Sequence, residues 1–302
     1  MADLDIGIGN IHFKNPIFAA SGTFGYGIET PDLVDVSKLG AIFTKSITLH
    51  PREGNPPPRI VETPSGMINS IGLANMGVER YINEMLPEYD HIGTKIIMNI
   101  AGSSMEEYVS VLEKVEAVSS AIIGYEINIS CPNVKEGGMV FGVDPAVTES
   151  LTSTLRKKTE KLLMMKLSPN VTDIASIAVA AERGGADAVS AINTVVGMSI
   201  DYSSGKSHIF TKYGGLSGPA IKPIGLACVH KIYRSVQIPV IGIGGIVSTT
   251  DVLEYMLAGA VGVQIGTANF RDPGISESII KTLAIYFDDH NLTLDKLIGT
   301  VT

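Results

Sequence analysis

Eight short apolar runs, set between stretches of helical pattern, restrict the fold of this chain more than any other feature. They lie at 16–20, 41–45, 95–100, 121–129, 162–167, 186–192, 238–242 and 260–266. The runs are continuous in Val, Ile, Ala, Leu and Met rather than alternating, the pattern of parallel strands covered on both faces. Segments 104–118, 145–158, 173–183, 220–235 and 248–258 carry helical periodicity. Ser248, with Asp251 three residues on, reads as a helix start. Strand–helix units repeated eight times predict an α/β fold, a (β/α)8 barrel. No shift in composition marks a boundary, so 1–302 reads as one domain. A hydrophobic share of 45% against 18% charged residues is enough for its core.

Three stretches interrupt the repeat. IGIGNIHF at 6–13 reads as a short hairpin that would close the bottom of the barrel. Segment 50–74 is a long insertion after the second strand, and 196–218, polar and rich in glycine, follows the sixth. Both are expected as inserted loops over the C-terminal face, where barrels carry their chemistry.

The fourth run ends in YEINISCPN at 125–133, where small polar residues surround Cys131. A free cysteine is more often a small buried hydrophobe than a catalyst. Cys228, in the apolar helical pattern IGLACVHKIY, fits that description. Cys131 precedes a proline in a polar segment running to Lys135-Glu136-Gly137-Gly138. A thiol with a reference pKa of about 8.5 can act there as nucleophile or proton acceptor. The glycines after it would let the segment serve as a lid.

Gly244-Gly245 follows the seventh run and Gly266-Thr267 the eighth, the positions where barrels often cradle a phosphate on backbone N–H groups. Tight turn geometry alone is the alternative. The other strand ends carry Ser21-Gly22, Lys45-Ser46, Asn99, Asn128, Lys166 and Asn193-Thr194. Amides suit the edges of a planar heterocycle, and lysines suit an electron-rich ring or a carboxylate. Singly each reads as a strand terminator or satisfied cap; together they read as a rim around a ligand. Asn69 and Asn75, in MINSIGLAN, either make turns or clamp that ligand.

Other classes are disfavoured. A net charge of −8 argues against a nucleic-acid surface. No run of about 18 apolar residues is present to span a membrane, and MADLDIGIGN has acids where a signal peptide is basic. Two cysteines make no disulfide framework, so a cytoplasmic enzyme with reduced thiols is expected. His12, His50, His91, His208, His230 and His290 are scattered without metal-ligand spacing. No GxGxxG follows an early strand.

The motifs resemble those of the class 1 dihydroorotate dehydrogenases, most closely the type B catalytic subunits. The resemblance runs collinearly through NPIFAASGTFGYGIE (15–29), TKSIT (44–48), NPPPRIVETPSGMINSIGLANMGV (55–78), EINISCPN (126–133), MMKLSPNV (164–171), INTVVGMSID (192–201), GGLSGPAIKPI (214–224), IGIGGI (241–246) and QIGTANF (264–270). Segment 199–215 is looser than the motifs around it. The resemblance implies an FMN barrel that oxidises (S)-dihydroorotate to orotate in pyrimidine biosynthesis. Carried over by motif, Ser21, Lys45, Ser46, Asn99, Asn128, Lys166, Ile192, Gly218, Gly244, Gly245, Gly266 and Thr267 would hold FMN. Lys45, Asn69, Ile71, Gly72, Leu73, Asn128, Asn193 and Thr194 would hold the substrate. Cys131 would take the C5 proton while C6 gives hydride to flavin N5. Class 2 relatives, which are membrane-associated, place a serine there and carry an N-terminal extension.

The resemblance also implies a separate electron-transfer subunit carrying FAD and a 2Fe-2S cluster, with NAD as final acceptor. A dimer of catalytic subunits within a heterotetramer follows from the same likeness. The rival readings are a type A-like enzyme using fumarate without a partner and, from another class, a phosphate-binding barrel lyase or isomerase.

Overall fold

The computed structural model describes residues 3–29, 33–130 and 141–302. In chain order the strands are β1 (Ile6–Ile8), β2 (Ile11–Phe13), β3 (Ile17–Ala19), β4 (Ala41–Phe43), β5 (Ile60–Thr63), β6 (Gly66–Asn69), β7 (Lys95–Ile100) and β8 (Ile122–Asn128). They continue as β9 (Leu162–Leu167), β10 (Ala188–Ala191), β11 (Val195–Met198), β12 (Ile200–Asp201), β13 (Lys206–Ser207), β14 (Tyr213–Ser217), β15 (Val240–Ile243) and β16 (Ala260–Ile265). The helices are α1 (Val78–Arg80), α2 (Met105–Glu116), α3 (Pro145–Arg156), α4 (Ile174–Arg183), α5 (Lys222–Tyr233), α6 (Thr249–Leu257), α7 (Ala268–Arg271), α8 (Ile275–His290) and α9 (Leu294–Leu297).

Strands β3, β4, β7, β8, β9, β10, β15 and β16 pair in parallel and in that order, and β16 returns to β3 to close a barrel. All eight fall on the apolar runs, and the closed parallel barrel with intervening helices is the (β/α)8 architecture expected. Every residue of β9 and β10 is buried, because helices cover their outer face and the barrel core fills the inner one. Polar side chains start the helices: Ser104, Asp144, Asp173 and Ser248 accept from the first-turn amides of α2, α3, α4 and α6. The first unit departs from the repeat. Among the described residues a single 3-10 turn, Val36–Lys38, stands between β3 and β4. It is tied to α8 by the Lys38–Glu277 ion pair at 2.7 Å.

β1 and β2 form the expected antiparallel hairpin. Its Ile6, Ile8 and Phe13 are buried, and Phe13 meets Phe18 edge-on with centroids 5.3 Å apart. A Cβ on Gly9 would touch Leu162 and Asp187, which lie at the starts of strands. The hairpin therefore closes the N-terminal end of the barrel.

The two insertions correct the expectation of loops. They share a four-stranded antiparallel sheet, ordered β11-β14-β6-β5, in which Gly215 faces Asn69 and Ser217 faces Met67, and β12 pairs with β13 as a separate hairpin. Glycines make this close pairing: a Cβ on Gly66 would lie 1.9 Å from the Ser217 carbonyl oxygen, and one on Gly215 would lie 2.0 Å from Thr194 Oγ1. The residues that weaken the strand signal are those that let the strands approach.

Candidate active site

The C-terminal ends of the barrel strands and the antiparallel sheet enclose a cavity of about 330 Å³. A second cavity of about 410 Å³ adjoins it. They share a wall made of Asn69, Ile71, Leu73, Asn128, Asn193 and Thr194.

One side of the first cavity consists of glycine turns. Gly244 and Gly245 follow β15 with φ of 125° and 70°, and Gly218 follows β14 with φ of 91°. These left-handed values favour glycine. Among the described residues no acceptor engages the amides of Gly244, Gly245, Ile246, Gly266 or Thr267. Gly266 is different from the first three: a Cβ there would meet nothing nearer than 3.5 Å. Neither strain nor packing demands glycine at 266. What its absent side chain leaves clear is the cavity wall.

The α6 start props these turns from behind. Asp251 accepts from Val247 N at 2.9 Å, Ser248 Oγ at 2.8 Å and Lys222 Nζ at 2.6 Å. Burial pushes its carboxyl up, but these donors outweigh burial and hold it below its ordinary range.

The floor is polar. Lys166 is almost fully buried yet reaches the cavity, with its ammonium 3.7 Å from Glu126 Oε2. Lys45 lines the same cavity without an acidic partner among the described residues. Ser46 donates to Asn99 Oδ1 at 2.5 Å.

The shared wall is set by its own hydrogen bonds. Asn128 Oδ1 accepts from Ser130 N at 3.2 Å and Asn193 Nδ2 at 3.3 Å, and its amide donors meet no acceptor among the described residues. Asn193 Oδ1 accepts from Thr194 N at 2.9 Å. Asn69 Nδ2 donates to the Gly215 carbonyl at 3.3 Å, and its oxygen has no donor among the described residues. Gly72 and Leu73 both take left-handed φ, 75° and 57°, which turns the 71–73 backbone along the wall.

The sequence-expected residues sort themselves between the cavities. Ser21, Lys45, Ser46, Lys166, Ile192, Gly218, Gly244, Gly245, Gly266 and Thr267 line the first cavity alone. Gly72 lines the second alone. Asn99 is fully buried and lines neither; its amide bonds Ser46 and Glu126. Asn75 likewise serves its own loop, bonding Thr48, Leu73 and Gly77. Cys131, with the glycines of the expected lid, lies outside the described residues.

Sequence reasoning missed Glu126 and Ser217. Glu126 had a signal, since an acid within a buried strand must find partners. Ser217 had none. Among the described residues no group of three His, Cys, Asp or Glu stands where it could hold a metal ion. No helix among them is long and apolar enough to cross a membrane.

The profile of the family described as dihydroorotate dehydrogenase matches residues 3–286. The chain is 49% identical over 302 residues to a protein of Parabacteroides distasonis, covering 100% of this chain and 99% of the relative. It is 48% identical over 302 residues to one of Bacteroides fragilis, with shares of 100% and 99%. It is 47% identical over 300 residues to one of Geotalea uraniireducens, with shares of 99% and 98%. All three relatives are named dihydroorotate dehydrogenase B (NAD(+)), catalytic subunit. A barrel with this rim, matched along almost its whole length, belongs to the dihydroorotate dehydrogenase family.

Proposed function

We propose that this chain oxidises (S)-dihydroorotate to orotate with FMN as its bound cofactor. The carrying observation is the pair of adjoining cavities, one backed by glycine turns and both bounded by the same amide wall. Such a pair suits two ligands in contact, a phosphorylated cofactor and a small planar heterocycle.

The residues present fit FMN. Amides without acceptors among the described residues at Gly244, Gly245, Ile246, Gly266 and Thr267 suit its phosphate. Lys45, Lys166, Ser21, Ser46, Asn128, Ile192 and Gly218 would hold the rest. Bound FMN supplies a two-electron acceptor for the hydride from substrate C6.

The chain's own groups do the remainder. Asn69, Asn128, Asn193 and Thr194 offer donors and acceptors to the amide and imide edges of the pyrimidine. Lys45 places a cation where the substrate carboxylate needs one. Ile71, Gly72 and Leu73 lay backbone along the substrate side. Cys131 holds the base, taking the C5 proton as the C6 bond breaks.

Electrons then leave through a separate subunit carrying FAD and a 2Fe-2S cluster to NAD, the acceptor in the relatives' name. Two cysteines are too few for the chain to ligate such a cluster itself. Dihydroorotate oxidation by the purified chain, assayed with a dye, fumarate and NAD, alone and after co-expression with the partner, tests this. NAD reduction only in the co-expressed complex is expected. Fumarate turnover by the chain alone points to the type A-like chemistry instead.

A further inference from the structure

Glu126 sits at the centre of the barrel, fully buried, directly below the cavity floor. Its Oε1 accepts from Ser190 Oγ and from Gln264 Nε2, each at 2.7 Å. Its Oε2 accepts from Asn99 Nδ2 at 2.6 Å and lies 3.7 Å from Lys166 Nζ. These partners come from β10, β16, β7 and β9, so half the barrel strands besides its own converge on one carboxylate. All four neighbours are donors, the arrangement that an acceptor-only carboxylate requires. Gln264 turns its amide to comply, and its own Oε1 is left buried without a partner among the described residues.

Stability does not account for such a group. A buried ion pair rarely outperforms well-packed apolar side chains of similar volume. What Glu126 changes lies above it. Because the carboxylate can only accept, Asn99 must aim its N–H groups downward and its Oδ1 upward, where Ser46 Oγ donates to it. The Ser46 hydrogen is thereby committed below, and Ser46 meets the cavity as an acceptor. Beside it, Lys166 meets the cavity as a donor, held 3.7 Å from Glu126.

We propose that Glu126 is a positioning residue that sets the donor and acceptor pattern of the cavity floor, holding Lys166 as the donor and, through Asn99, Ser46 as the acceptor for the bound flavin. The proposal rests on the FMN reading above. It gives Glu126 no contact with either ligand.

Glu126→Gln breaks the pattern with little change in volume. Its amide brings donors against donors and removes the charge beside Lys166. The test is FMN titration of the apoprotein followed by fluorescence, with no turnover required. Glu126→Gln and Lys166→Met are each expected to raise the FMN Kd by about tenfold or more, the scale of a lost charge-assisted contact. The double variant is expected to lose clearly less affinity than the product of the two single losses, because Glu126 acts in part through Lys166. The reduction potential of bound flavin should also rise in Glu126→Gln, since a negative charge has left the floor. An unchanged Kd and potential in Glu126→Gln, or effects that simply multiply in the double variant, overturn the proposal.

Should Glu126→Gln fail to fold, Glu126→Leu/Lys166→Met removes both charges together and is compared with Lys166→Met. A further loss no larger than the one Ser46→Ala causes in the Lys166→Met background supports the positioning role, and a clearly larger one overturns it. Wild-type apoprotein that binds no FMN overturns the cofactor reading and this inference with it. Normal FMN binding with an inert Glu126→Gln overturns this inference alone.

Discussion

Thr267 Oγ1 donates a hydrogen bond of 2.8 Å to Ser217 Oγ. Thr267 stands on the turn after the last barrel strand, and Ser217 ends β14 of the antiparallel sheet, so this contact locks barrel and sheet into one cavity wall. Thr267→Val keeps the shape and loses the donor. Stability should fall by about 1 kcal/mol. FMN affinity should drop while riboflavin, which has no phosphate, binds as before. Parallel titrations of the two flavins check this.

Two glycines on the same wall should respond oppositely to alanine. At Gly245, φ is 70° and a Cβ would lie 2.8 Å from Lys222 Cβ, so Gly245→Ala should cost about 1–3 kcal/mol of folding stability. Gly266 has no such constraint, its nearest Cβ neighbour being 3.5 Å away. Gly266→Ala should therefore leave thermal unfolding nearly unchanged while weakening FMN binding. Thermal melts of the apoproteins beside flavin titrations separate the two effects.

Asp251 makes the support of the glycine turns acid-sensitive. Its carboxyl is held below the ordinary range by Lys222, Val247 and Ser248 against the opposing effect of burial. A depressed folded pKa means the contribution is fully present above the unfolded value of about 3.9 and is lost as pH falls through the folded one. Asp251→Asn should thus destabilise by about 1–2 kcal/mol at neutral pH, and the gap from wild type should close as acid protonates Asp251. Denaturant melts at neutral and at strongly acidic pH supply the comparison.

The two cysteines should separate by reactivity. Burial pushes the Cys228 thiol up, keeping it protonated and slow toward alkylating agents near neutral pH. Cys131→Ser should lower turnover by about 10²–10⁴ and shift the pH optimum upward, because a hydroxyl is harder to deprotonate. Cys228→Ser should leave turnover unchanged. Rates of thiol labelling and steady-state pH profiles of both variants test the assignment.

The barrel was legible because its strands are covered on both faces and so run continuously apolar, a pattern that no surface polarity dilutes. The rim was legible because Lys45, Asn128, Lys166 and Asn193 interrupt that pattern where the strands end. The antiparallel sheet was not. Gly66, Gly214 and Gly215 read as loop, and only their contacts show that backbone approach is the reason for them. Asn99 and Asn128 look alike in sequence, each near a strand end. One bonds Ser46 and Glu126 while the donors of the other meet no acceptor among the described residues, and that division depends on partners from distant strands.

Anaerobic addition of dihydroorotate to the purified chain probes cofactor and substrate chemistry together. The visible flavin absorbance is expected to bleach, with one orotate formed for each flavin reduced and no partner subunit present. A colourless protein that takes up no FMN, or a flavin that stays oxidised with dihydroorotate in excess, would contradict that chemistry.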